Sequence, residues 1–233
     1  MAELAGVYDT TPAPRTPGDV ISRPGQPRSG TTGPQARGKR PAASIIDDIP
    51  AVVRVAFDEA EHHDPEHRRP WVALVDGNAT RTQAIQTEAT RRQVQVSIVV
   101  DFIHVLEYLW KAAWSFFDPG DPDAQTWIAD QATKILEGEA TTVAAGIRRR
   151  ATRFGYSASE RKGADHTATH LTRKRPYPDY HTALSKHSAG TRWCSGWWHG
   201  VMTGGLVSAG WVYRGLPGQA GAGSGGIHGR PTI

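Results

Sequence analysis

Residues 71–117, WVALVDGNATRTQAIQTEATRRQVQVSIVVDFIHVLEYLWKAAWSFF, constrain the fold of this chain more than any other stretch. They read as strand, helix, strand, helix. The apolar run 71–75 stops at Asp76, and Gly77-Asn78 supplies a turn. The run 94–100 stops at Asp101, which can cap the helix after it. Two short β runs joined by a helix over about 79–92 predict a parallel pair with a right-handed crossover. Acidic side chains at the ends of neighbouring parallel strands stand where α/β sheets place ligands and metals.

Around this unit the patterning predicts mostly helix. Ile49, Val52, Val53, Ala56, Phe57 and Ala60 recur at helical spacing before the first strand. From 101 to 117, Phe102, Ile103, Leu106, Leu109, Trp110, Ala113, Trp114 and Phe117 form a broad apolar face, which Asp118-Pro119-Gly120 ends. The remaining face carries Asp101, His104, Glu107, Tyr108 and Lys111. Further helices are expected near 121–137, 139–154 and 158–174. Residues 1–43 are expected to be a disordered linker, because Pro, Gly, Arg, Ser and Thr dominate from about 10 onward. Residues 44–185 form the expected folded unit. Beyond it the character changes: no acid follows Asp179, and 186–233 are expected to be a low-complexity, non-native tail.

Composition narrows the function classes. The single Cys194 excludes an intramolecular disulfide and a Cys-based zinc site, and it fits a reducing cytoplasm. No apolar run approaches the roughly 20 residues that span a bilayer. The first residues lack the pattern of a secretory leader. We therefore expect a cytoplasmic protein with no membrane partner and no small-molecule substrate. A net charge of +4 permits nucleic acid as a partner without establishing it.

Asp76 has two readings, a divalent-metal ligand or a turn-forming aspartate. Asp101 is either a site residue or a helix cap, and His104 and Glu107 are either its supporting partners or a solvated helix face. Arg148, Arg149, Arg150 and Arg153, with Arg173, Lys174 and Arg175, would suit phosphate backbones or simply keep helices soluble. Other apparent motifs are discounted. Glu61, His62, His63, Asp64 and His67 read as a solvated loop, and His166 and His170 lack the glutamate of a zinc-protease motif. Gly221, Gly223 and Gly226 match a nucleotide-binding pattern with neither strand nor helix beside it, and Cys194 has no base.

VALVDGN (72–78) and DFIHVLEYLWKAAWSFF (101–117) resemble the ISKra-type insertion-sequence transposases. VYDTTPAPRTPGDV (7–20), DEAEHHDPEHRRPWVALVDGN (58–78), GIRRRAT (146–152) and RPYPDYHTAL (175–184) extend the likeness in order over residues 7–184. The resemblance implies an RNase H-like core whose Asp-Asp-Glu triad grips paired Mg²⁺ or Mn²⁺ ions for DNA strand cleavage and transfer. Asp76 matches the second triad aspartate and is the implied metal ligand. Asp101, His104 and Glu107 match the family's helix motif, with a supporting or DNA-contact role. The first aspartate, in an Asp-Gly-Lys-Gly strand, and the glutamate, in a Glu-Gly-Ala-Cys-Arg-His stretch, have no counterpart here. The expectation is a decayed transposase: its start is lost, its frame shifts near Ser185–Gly190, and it does not bind the ions as a pair. The fold expected is thus α/β, a partial RNase H-like core plus a helical region. Its partner is DNA. The alternatives are a non-catalytic DNA-binding fragment that pairs with a full-length transposase, or a product without function.

Overall fold

The computed structural model describes residues 3–11, 13–27, 36–44, 46–173, 179–187 and 209–215. Its centre is the expected unit: strand β3 (Trp71–Val75), helix α3 (Ala79–Arg92), strand β4 (Val96–Val100) and helix α4 (Phe102–Ala113). Asn78 starts α3 by accepting from the N–H groups of Thr80 (2.8 Å) and Arg81 (3.3 Å). Gln93, in the left-handed region at φ 57°, ends it. β3 and β4 pair in parallel, Trp71 against Val96 through Val75 against Val100. That flush register sets Asp76 and Asp101 side by side just past the strand ends. All five β3 residues are buried, as a continuous apolar run in a covered parallel pair should be.

The N-terminal segment departs from the expected linker. It contributes strand β1 (Glu3–Thr10), a short helix α1 (Pro17–Val20) and strand β2 (Arg37–Ser44). β1 and β2 pair antiparallel, and Ala5, Val7 and Tyr8 join the core. Helix α2 (Ile49–His63) covers them and also packs on α3, burying Val52, Ala56, Phe57 and Ala60. The reason is tertiary. Leu4, Val7 and Tyr8 of β1 lie ahead of the stretch from 10 to 43 that is poor in large apolar side chains, and β2 within that stretch is sustained by pairing with β1. β2, with Arg37, Lys39, Arg40 and Pro41 exposed, has the charged character of an edge. The described part of the 186–233 tail includes a strand β5 (Ala209–Gly215). Its backbone lies between the two pairs, parallel to β1 and antiparallel to β3.

Helices α5 (Pro122–Leu136), α6 (Ala140–Arg153) and α7 (Lys162–Arg173) follow, each within a few residues of expectation. α4 packs on α5 and α7, and α6 on α5 and α7. Leu109, Ile128, Ile135, Leu136 and Leu171 are almost wholly buried among them. Each stabilises by roughly 1.5–3 kcal/mol relative to an exposed position. A last short helix α8 (Tyr180–Thr182) and the π-helical turn Ala183–His187 bring Tyr180 back to the sheet.

The loop after α2 is less solvated than expected. Asp64 is 5% exposed and accepts from Arg68 N (3.2 Å), Arg69 N (3.1 Å) and Trp71 Nε1 (3.1 Å). His63 lies between Asp9 (3.2 Å) and Glu59 (2.8 Å). Asp64 thus fixes the entry into β3. Asp64→Asn, which keeps the shape but gives up charge-assisted acceptance, is expected to lower stability by about 1.5 kcal/mol. An unchanged urea midpoint would show that this cap is dispensable.

Candidate functional site

The site lies at the C-terminal ends of β3 and β4. One oxygen of Asp76 accepts from Asn78 N (2.8 Å), holding the turn, and the other from Arg81 Nη1 (2.5 Å). Arg81 is placed there because α3 starts at Ala79, so its first turn overhangs the strand end. The other edge of the same guanidinium reaches β1, where Nε and Nη2 donate to Glu3 at 3.0–3.2 Å. Arg81 is 6% exposed and Glu3 8%. Buried charges persist only when paired, and one arginine here serves two acids, one in β1 and one just past the end of β3.

Asp101 caps α4 by accepting from Ile103 N (3.0 Å), and its own N–H donates to Val75 O (2.7 Å). Burial pushes its carboxyl above the usual carboxylate range; the charge of Glu107 adds to this, while the Ile103 amide and His104 oppose it. His104 Nδ1 and Glu107 lie 3.1 Å apart. Tyr108 is pushed up chiefly by burial, then by the charges of Glu107 and Asp76. Tyr180 donates to Val100 O (2.8 Å) beneath them, and burial raises its hydroxyl well above the ordinary tyrosine value, with Asp101 adding.

Across α4 the patch continues onto α7. Tyr108 stacks on His170 (centroids 3.8 Å, planes 17° apart) and meets His166 edge-on at 5.2 Å, and Lys111 Nζ lies 4.6 Å from its ring centre. His166 and His170 are therefore neighbours of the candidate site, although they lack the glutamate of a zinc-protease motif. Asp76, Asp101, His104 and Glu107 are brought to one end of the sheet. Glu3 and Arg81 escape a sequence reading altogether. Their meeting depends on a contact across 78 positions, which no local pattern marks.

The basic residues divide. Arg149 and Arg153 on α6 and Arg173 at the end of α7 are exposed. Arg148 is half-buried and reaches Thr169 Oγ1 on α7 at 3.4 Å. Arg150 lies in an aromatic box, 4.5 Å from the ring centre of Phe117, 4.7 Å from Phe116, 5.9 Å from Phe154 and 6.0 Å from Trp127. That position makes it a packing residue between helices, in place of the DNA contact expected from its sequence cluster. Lys174 and Arg175 fall outside the described residues, as do Cys194 and Gly221, Gly223 and Gly226.

The donors at the strand ends do not fit a pair of divalent metals. Both oxygens of Asp76 are engaged, one by the Asn78 amide and the other by the buried Arg81 guanidinium, which leaves this acid no open position for an ion. Among the described residues no group of three or more His, Cys, Asp or Glu side chains is placed to hold a metal ion. No helix among them is long and apolar enough to cross a membrane. Comparison with protein-family models, with curated proteins and with solved structures finds no match to the chain.

Proposed function

We propose that the chain is a transposase-like core by descent, of RNase H-like type, that binds DNA without cutting it. The observation that carries this reading is the Glu3–Arg81–Asp76 bridge at the end of β3. The parallel β3–α3–β4 unit presents acids at adjoining strand ends, in keeping with the resemblance over residues 7–184. The acid that matches a triad member, however, is matched to an arginine. A carboxylate held this way is a poor ligand for Mg²⁺ or Mn²⁺, because the ion would have to displace a buried, hydrogen-bonded cation.

What remains suited to DNA is the exposed basic surface. Arg149 and Arg153 sit four residues apart on α6, and Arg173 follows His170 by one turn on α7. Each can meet a backbone phosphate and release a condensed counterion. A triple Arg149→Ala, Arg153→Ala, Arg173→Ala variant is expected to bind duplex DNA at least tenfold more weakly at low salt. Its slope of log affinity against log salt should be shallower by about 2 to 3. Supercoiled plasmid incubated with the wild-type protein and Mg²⁺ should remain un-nicked. DNA retention unaltered by the triple change, or nicking lost on Asp76→Asn, would each end this reading.

A further inference from the structure

We infer that Arg81 is a built-in cation: its guanidinium occupies the one position where Glu3 and Asp76 converge, and it keeps divalent metal out. The inference deepens the reading of Asp76 as a strand-end acid of metal-ion type, and it rests on that reading. Its footing is the geometry of two buried side chains, Arg81 and Glu3, and a partly buried one, Asp76. Arg81, Glu3 and Asp76 have side-chain exposures of 7%, 11% and 17%. Five N–H···O contacts of 2.5–3.3 Å surround the two acids and the start of α3, four of them from the Arg81 side chain and one from its backbone. The planar fork of arginine suits this task, since one edge binds Glu3 through two nitrogens while the remaining nitrogen serves Asp76.

Other acid clusters of the fold differ in kind. Glu88, Glu61 and Asp58 gather around Arg92 at the far end of α3, with Asp58 68% exposed. Asp9 and Glu59 flank His63 beside the outer strand pair. In neither does a single buried cation join an acid of one strand to an acid that follows the end of another. Between Glu3 and Asp76 a compact divalent ion could take the place of the guanidinium, matching the two negative charges with two positive ones. Removing the Arg81 side chain should therefore uncover a cation site made of Glu3 and Asp76.

The experiment titrates Mn²⁺ into the full chain and reads bound ion by electron paramagnetic resonance, alongside thermal unfolding. Wild type should show no Asp76-dependent binding and no shift of its unfolding temperature. Arg81→Ala should bind Mn²⁺ at least tenfold more tightly than wild type, and Asp76→Asn or Glu3→Gln in that background should abolish the gain. Arg81→Lys, which keeps the positive charge, should remain as refractory as wild type. If Arg81→Ala is unfolded in metal-free buffer, its helical circular dichroism should return when Mn²⁺ is added. Mn²⁺ bound by the wild type and lost with Asp76→Asn overturns the inference, as does Arg81→Ala, folded or unfolded, that never responds to the ion. DNA retention reports on the proposed function alone, so a chain that binds DNA but also takes Mn²⁺ at Asp76 would sink only the arginine assignment.

Discussion

Gly163→Ala is expected to destabilise the protein by about 3 kcal/mol and to part the two helices that carry Tyr108 and His170. Gly163 lies in the first turn of α7, where the helix crosses α4. A β-carbon built there would stand 2.2 Å from Lys111 O, 3.0 Å from Lys111 C and 3.1 Å from Ser115 Oγ. Ordinary contact needs about 3.5 Å, so the helices must separate by about 1 Å. The nearest atom is backbone, so no rotamer can relieve the overlap. Alanine favours a helix over glycine by up to ~1 kcal/mol, which offsets only part of the cost. Separation also lengthens the bond from Thr167 Oγ1 to Tyr108 O, now 2.6 Å, whose donor is wholly buried. The loss should appear in urea unfolding, and weakened Tyr108–His170 ring contacts should appear in nuclear Overhauser spectra. An unchanged midpoint with the ring contacts intact would show that the crossing has slack that the geometry denies.

That crossing also illustrates which parts of the molecule can be read from the chain. Elements set by local pattern are legible: the apolar run 71–75, the Gly77-Asn78 turn, the capping Asp101 and the apolar periodicity of α4 place the central unit to within two residues, apart from the earlier end of α4 at Ala113. The same logic finds α5, α6 and α7. β2 is hidden because pairing sustains it within a segment rich in Pro, Gly and Arg, and β1 because its short run ELAGVYDT is sustained by pairing partners distant in the chain. The site is legible only in part. Asp76 and Asp101 announce themselves by ending strands, but their surroundings are settled at long range. Glu3 meets Arg81 across 78 positions, and Arg150 meets Phe116 and Phe117 across more than 30. Charge clustering along a helix says nothing about which arginine an aromatic neighbour will capture.

The second large effect concerns the other end of the helix that carries Arg81. Glu88, buried on α3, accepts from Arg91 Nε (2.9 Å) and Nη2 (2.6 Å) and from Arg92 Nε (2.6 Å). The Arg91 bonds chiefly, with Arg92 and both charges adding and burial opposing, hold its carboxyl down from 4.5 to about 2. Arg92 in turn bonds Glu61 (2.7 Å) and Asp58 (2.6 Å) on α2 and lies 5.7 Å from the ring centre of Phe57, so Glu88 tethers α3 to α2. A carboxyl whose folded value is depressed adds stability above its unfolded value and loses it as pH falls through the folded one. The difference between wild type and Glu88→Gln should therefore be full above about pH 4.5, fall by more than half near pH 3 and vanish below about 2. Its full size is about 2–3 kcal/mol, reduced from the bare conversion because the Arg91 partner is 59% exposed and screened. Urea unfolding of both proteins across that range measures it. A difference that stays constant from neutral pH to pH 3 would mean that the charge of Glu88 contributes nothing, and that α3 is held to α2 by the bonds of Arg92 to Glu61 and Asp58 and by apolar packing.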